Sequence, residues 1–229
     1  MEPVLPAQVY VVIAAYNEGT VIARVVTDVG NAGYRVVVVD DGSLDRTADV
    51  ARAAGAIVVR HPFNLGQGAA LQTGIDNALA HAAAVVVTFD GDGQHRVSDI
   101  ARLTCALAEQ RADFALGSRF LGQAPNLPVL RRLMLQAATL FTRLTSGLRV
   151  TDTHNGLRAM TRRGAAAIRL RQNRMAHASE LLDQIARSGL RYVEVPVTIE
   201  YSRYSLAKGQ RLADSLRILM DLSAQRLHR

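Results

Sequence analysis

Residues 9–14 form an unbroken apolar run, and 36–39 is a second, made only of valine. Shorter runs follow at 57–60 and 85–89. Apolar runs without alternation are the pattern of strands covered on both faces. Between the runs the period changes. Val21, Ile22, Val25, Val26 and Val29 predict a helix over 20–31 that Gly33 stops. Further helices are predicted over 45–54, stopped by Gly55, and over 69–81. Strand and helix alternate with short loops, the signature of an α/β fold with a parallel, doubly wound sheet.

Beyond a short strand at 114–119 this rhythm weakens. Residues 129–146 predict an amphipathic helix with Leu130, Leu133, Met134, Ala137, Phe141 and Leu144 on one stripe and Arg131 and Arg132 at its start. Such a stripe usually packs on a core, and that is the preferred expectation. The alternative is a helix lying on a membrane with its arginines at lipid phosphates. A dense polar loop at 151–158 leads into another helix and a strand at 191–197. Residues 200–209 interleave tyrosines with cations, and 210–227 predict a final amphipathic helix, for which membrane and core are equally open.

In open α/β sheets ligands bind beyond the carboxyl ends of the strands. Four polar clusters fall there: Asn17-Glu18, Asp40-Asp41, 64–68 and 90–94. The last is the most pointed. Residues i and i+2 of an extended chain share a side, so Asp90 and Asp92 can converge on one hard cation. Gly91 and Gly93 free the backbone, and Gln94 or His95 could add a ligand. A turn capping a strand is the plain alternative, but four unrelated turns at one edge would be a poor account of the pattern. A nucleotide-hydrolase G-x-x-x-x-G-K-[ST] loop is absent. Gly66-Gln67-Gly68 lacks a third glycine and follows the third strand, which argues against a dinucleotide-binding domain. The two glycines instead let a helix start approach another loop or a ligand.

Charge divides the chain. Residues 1–118 carry 8 basic and 13 acidic side chains, and 119–229 carry 19 and 7, which together make the net charge of +7. Lys208 is the sole lysine; every other strong base is arginine. A carboxylate-bearing half beside a basic one suits an enzyme handling anionic substrates, at an anionic membrane surface in one reading. Nucleic acid is set aside: aromatics make up 5%, tryptophan is absent and no nucleic-acid signature occurs. The single cysteine, Cys105, excludes a disulfide framework and is expected to be buried in a helix. With no signal peptide and no apolar run near the ~20 residues of a membrane span, the expected location is the cytoplasm.

The ordered motifs Ala15-Tyr16-Asn17-Glu18, Asp40-Asp41-Gly42-Ser43 with Asp45 and Thr47, Asn64-Leu65-Gly66-x-Gly68-x-Ala70, and Asp90-x-Asp92-x-Gln94-His95 resemble those of the family 2 glycosyltransferases of the GT-A fold. Within them the chain is similar to the dolichyl- or polyprenyl-phosphate sugar synthase branch, over roughly residues 8–222. The resemblance implies one GT-A domain over 1–229, mostly parallel and doubly wound with flanking helices and an amphipathic C-terminal helix. Residues 8–118 would be its nucleotide-sugar-binding half and 119–229 its acceptor half. It further implies that Ala15, Tyr16, Asn17, Glu18, Asp41, Gly68 and Asp90 surround the donor nucleotide, Asp41 at its base. Asp90, Asp92 and Gln94 would hold Mg²⁺ or Mn²⁺, as oxygen donors suit. Arg119, Arg203 and Lys208 would meet phosphate; Arg131 and Arg132 are added as acceptor-side cations, and Asp152 and Arg119 are the catalytic candidates.

There are departures. Gln67 stands where the branch commonly has lysine, Asn155-Gly156-Leu157-Arg158 replaces a serine- or cysteine-glycine-phenylalanine-arginine, and the trailing membrane spans of many relatives are absent. Amphipathic helices or a small membrane partner protein would then provide peripheral attachment at the inner face of the membrane. The expected function is inverting, metal-dependent transfer of a sugar from a UDP- or GDP-type donor to a polyprenyl-phosphate acceptor. A hydroxyl acceptor would need a base, for which Asp152 is the candidate; a phosphate acceptor would not, and Asp152 would then orient Arg158 or a loop amide. The alternatives are transfer to a saccharide hydroxyl in cell-surface polysaccharide synthesis, a sugar nucleotidyltransferase, and a non-catalytic nucleotide-sugar-binding module.

Overall fold

The computed structural model describes residues 4–172 and 176–201. Arg203, Lys208 and the helix expected over 210–227 lie outside them. After a 3-10 turn at Pro6–Gln8 the chain runs β1 (Val9–Ala15), α1 (Ile22–Asn31), β2 (Arg35–Asp40), α2 (Thr47–Ala53), β3 (Ile57–Arg60), α3 (Gln67–Ala80), β4 (Val85–Asp90) and α4 (Ser98–Glu109). There follow β5 (Phe114–Gln123), α5 (Val129–Ser146), β6 (Arg158–Thr161), α6 (Arg162–Ala167), α7 (His177–Ser188) and β7 (Tyr192–Thr198).

The seven strands form one sheet in the order β3-β2-β1-β4-β6-β5-β7. β1 to β4 pair in parallel, as do β5 and β7; β6 runs antiparallel to both neighbours, β4 and β5. The sheet is therefore mostly parallel, with β6 inserted against the grain. The pattern of residues did not predict β6, because four residues beginning with arginine carry no apolar run. Its direction matters. An antiparallel strand starts at the edge where its parallel neighbours end, so the loop before Arg158 is delivered to the carboxyl ends of β4 and β5.

The continuous apolar runs are explained by two hydrophobic layers. Val9, Val11, Ile13 and Ala15 of β1 enter one layer, with Ile22, Val25 and Val29 of α1 and Leu103 of α4. Tyr10 and Val12 enter the other, with Leu71 and Ile75 of α3 and Leu181 of α7. Alternate side chains of one strand thus face opposite layers.

Two expectations are corrected. Cys105 is exposed. Leu103 and Leu107, two positions to either side, are buried, and a helix turns by about 200° in two residues, so Cys105 points outward. On α5 the apolar stripe is not core: Val129, Leu130, Leu133, Leu140 and Leu144 are 54–78% exposed. Thr139 and Thr142 make its buried face instead. Periodicity fixes that a helix has two faces, but the neighbours decide which is covered.

Candidate active site

The first two strand-end loops are laced together. The Asn17 amide donates to Ser43 Oγ (2.9 Å), its side-chain oxygen accepts from the Leu44 amide (2.9 Å), and the Glu18 amide donates to Thr47 Oγ1 (2.8 Å). Asn17 takes the left-handed conformation (φ 54°) that this junction requires. Buried Ala15 accepts from the Asp41 amide at 2.8 Å, and Tyr16 stands 40% exposed above it.

Asp41, expected at a nucleotide base, is itself buried. Its Oδ1 accepts from the Leu65 amide (2.9 Å) and pairs with His61 Nδ1 (2.7 Å), and its Oδ2 accepts from the Gly66 amide (2.7 Å). The structure thus gives it the work of shaping the loop ahead of α3. Gly68 likewise serves a close approach: a Cβ there would run into the Gln172 carbonyl and lie 2.8 Å from His177 Cβ. α3 and α7 meet at this glycine.

Asp90 ends β4 at the middle of the edge. Its Oδ2 pairs with His95 Nε2 (2.9 Å), and Gln67 Nε2 approaches its Oδ1 at 3.4 Å. Burial raises the Asp90 pKa, but the bond to His95 and the charges of His95, Arg158 and His177 outweigh it and hold Asp90 below its ordinary value. Asp92 is the opposite case. Burial, and then the neighbouring Asp90 charge, push it up to about 6. Gln94 is fixed by its backbone, its amide donating to Asp92 Oδ1 (3.1 Å) and its carbonyl accepting from the Glu200 amide (2.9 Å).

Two neighbouring carboxylates, one of them held back from ionising by burial and by the other's charge, fit a hard divalent cation. Among the described residues no group of three His, Cys, Asp or Glu side chains could hold one alone. The set therefore needs the Gln94 amide and oxygens from a ligand to be complete. Gly156 closes this pocket from the β6 side. Its carbonyl accepts from Thr88 Oγ1 (2.6 Å), and a Cβ would collide with both Asp90 carboxylate oxygens. We expect Gly156→Ala to weaken Mn²⁺ binding by about tenfold or more while costing about 1–3 kcal/mol of stability, as an overpacked side chain does. Calorimetric Mn²⁺ titration beside a melting curve checks this; unchanged affinity would show that Asp90 has room to move.

The second half of the edge is built on Arg119. Its backbone amide (3.0 Å) and Nε (2.6 Å) both donate to Asp152 Oδ2, Nη1 donates to Tyr201 OH (2.6 Å) and Nη2 to the His154 carbonyl (2.7 Å). Burial lowers the Arg119 pKa, but Asp152 and Tyr201 more than restore it, so it is raised. Asp152 Oδ1 accepts from the His154 amide at 3.3 Å. His154 itself is pushed down to about 4, by burial first and then by Arg119 and Arg158, and is a neutral imidazole at pH 7, its Nδ1 2.8 Å from Thr153 Oγ1. Arg131 of α5 lies over the Tyr201 ring, 5.1 Å from its centroid, whereas Arg132 is exposed. The structure thus joins Arg119, Asp152 and Arg131 through Tyr201. Tyr201 and His154 were not singled out by residue type, because their partners are distant in sequence; the cation–tyrosine alternation after 199 was the one available signal.

A sequence profile described as "Glycosyl transferase family 2" matches residues 10–168. A UDP-N-acetylglucosamine–dolichyl-phosphate N-acetylglucosaminyltransferase of Methanococcus voltae is 30% identical over 93% of this chain and 94% of its own. An undecaprenyl-phosphate mannosyltransferase of Micrococcus luteus is 34% identical over 71% of this chain and 70% of its own. Among solved structures, glucosyl-3-phosphoglycerate synthase from Mycobacterium tuberculosis in complex with Mn²⁺ and UDP-glucose superposes with a TM-score of 0.74 at 21% identity, covering 96% of this chain and 78% of that one.

Proposed function

Given that the chain belongs to glycosyltransferase family 2, in the polyprenyl-phosphate sugar synthase branch, we propose that this hexosyltransferase moves a sugar, with inversion, from a UDP- or GDP-type nucleotide-sugar to a polyprenyl phosphate. One observation carries the choice of acceptor. Asp152, the carboxylate best placed to be a base, is 4% exposed and committed to Arg119. Its Oδ2 is taken by Arg119 and its Oδ1 accepts from the His154 amide, so both oxygens are already engaged inside the protein. A hydroxyl acceptor would need a base, whereas a phosphate monoester, with its second pKa near ~6, is already ionised at pH 7.

Asp90, Asp92 and Gln94 would hold Mg²⁺ or Mn²⁺, which when bound supplies Lewis-acid neutralisation of the leaving diphosphate. The 15–19 and 41–47 loops, locked together, seat the nucleotide, and the Asp41-braced loop presents the start of α3 to the diphosphate. Arg119, held rigid by Asp152 and Tyr201, sets the positive potential of the acceptor side. An acceptor phosphate oxygen attacks the anomeric carbon from the face opposite the diphosphate. The bond to the diphosphate oxygen breaks, and nucleoside diphosphate leaves with that electron pair. The test is incubation with UDP- or GDP-hexose, Mn²⁺ and either farnesyl phosphate or a free saccharide. Sugar appearing on the lipid phosphate is expected; transfer to the saccharide alone would overturn the reading.

Among the described residues no helix is long and apolar enough to cross a membrane. We place the enzyme peripherally, at the cytoplasmic face, through α5. Its 18 residues include no Asp or Glu, its exposed leucines form one face, and Arg131, Arg132 and Arg143 supply cations for anionic headgroups. The same helix touches the site through Arg131 and Tyr201, which brings the lipid surface to the acceptor side. Leu133→Glu with Leu140→Glu is expected to lower binding to phosphatidylglycerol vesicles by about a hundredfold or more, since each leucine buried in the interface is worth roughly 1.5–3 kcal/mol. Vesicle flotation reads this; equal flotation of the double variant would remove α5 as the anchor.

A further inference from the structure

Arg158 is a second buried arginine, and its situation is unlike that of Arg119. It opens β6, paired with Thr88 of β4 on one side and Leu116 of β5 on the other, and is 4% exposed. That register sets it between β4, which ends on Asp90, and β5, which carries Arg119. Its guanidinium feels the attraction of Asp90 and Asp152 and the repulsion of Arg119, and burial lowers its pKa. Yet Asp90 is bonded to His95 and Asp152 to Arg119. Among the described residues the Arg158 side chain makes no hydrogen bond and no ion pair. A guanidinium has five N–H donors in a rigid fork, and here none of them is matched by a described residue, which leaves the fork for a ligand at the site.

We propose that Arg158 forms a phosphate-oxygen subsite at the junction of the donor and acceptor halves, its fork supplying two parallel N–H···O bonds to a substrate phosphate. Phosphate is the group that such a fork fits, and the bonds are strongest where water is excluded. The inference rests on the function proposed above. The phosphate has two possible sources, the donor's diphosphate and the acceptor's lipid phosphate, and both pass the same edge.

The experiment uses the full chain and the variants Arg158→Lys and Arg158→Gln, each checked by its melting curve. The dissociation constants of UDP and GDP are measured by calorimetry with Mn²⁺ present, and the KM for farnesyl phosphate at saturating donor. A rise of roughly ten- to a hundredfold in one constant is expected for Arg158→Gln, the worth of a charged hydrogen-bonded pair. Arg158→Lys should fall between, since it keeps the charge and loses the fork. A rise confined to nucleoside diphosphate assigns the donor's phosphates; a rise confined to farnesyl phosphate assigns the acceptor's. Folded variants that keep both constants within twofold would overturn the subsite and leave Arg158 as a counter-charge for Asp90 and Asp152. If Arg158→Gln does not fold, Arg158→Lys decides by the same two constants. Wild-type protein that neither binds nucleotide nor transfers sugar would overturn the proposed function, and the subsite with it; a normal wild type beside indifferent variants overturns the subsite alone.

Discussion

Asp92→Asn is expected to abolish Mn²⁺-dependent nucleotide binding and to lower kcat by roughly 10³-fold, the order found when a principal electrostatic stabiliser of a transition state is removed. The same substitution should make the metal-free protein more stable at pH 7.5. In the folded chain burial, and then the Asp90 charge, push the Asp92 carboxyl up to about 6, above the ordinary carboxylate range. The sign follows from linkage. A carboxyl with a raised folded pKa favours the folded state at low pH, where it is protonated in both states, and that advantage is lost as pH rises through about 6. At pH 7.5 the ionised Asp92 is therefore a liability, on the order of 1–3 kcal/mol, which asparagine would remove. Divalent-cation affinity should run the other way, falling about tenfold per pH unit below 6, as protons compete for the ligand. Melting curves with and without Mn²⁺ from pH 4 to 8 measure both trends. An Asp92→Asn variant that is less stable than wild type without metal, or that still binds nucleotide with Mn²⁺, would contradict this account.

The other large effect is expected at Arg119. Arg119→Leu would leave Asp152, 4% exposed, without the guanidinium bonded to it and with only the unbonded Arg158 charge nearby, and would strip Tyr201 OH and the His154 carbonyl of their donor. Breaking a buried pair from one side typically costs 3–5 kcal/mol, which in a domain of this size lowers Tm by about 10 °C or more. Transfer should be lost with it, because the acceptor loop, Tyr201 and Arg131 are all held through this guanidinium. The double variant Arg119→Leu/Asp152→Asn separates the causes. Removing the orphaned charge should recover much of the stability and none of the activity. A double variant as unstable as the sum of the singles would mean that the two side chains act independently, against the 2.6 Å contact between them.

These two residues also mark how far the sequence could be read. Asp92 was legible as a candidate because that expectation rests on local geometry alone: a strand, its end, and a carboxylate two residues from another. The parallel strands were legible for a similar reason, since a strand covered on both faces must be apolar throughout. The pairing of Arg119 with Asp152 was not, although both residues were singled out for catalysis. They lie 33 positions apart, and Tyr201 lies 82 from Arg119. Only the reversed strand β6 brings the 151–157 loop to the edge where Arg119 ends its run.

The chain's own pattern therefore determined the α/β architecture, the strand-end placement of its polar clusters, the acidic character of residues 1–118 and the basic character of the rest. Side-chain period is a property of a single helix or strand, so it survives in the linear order of residues. The tertiary structure decided that Asp41 and Gly68 shape loops, that Asp152 is spent on a guanidinium, that the Arg158 side chain is buried among charges with no bond among the described residues, and that Leu130, Leu133, Leu140 and Leu144 of α5 face outward. Each of these depends on which neighbour arrives from elsewhere in the chain, and that is set by the order and direction of strands in the sheet, which no local period encodes.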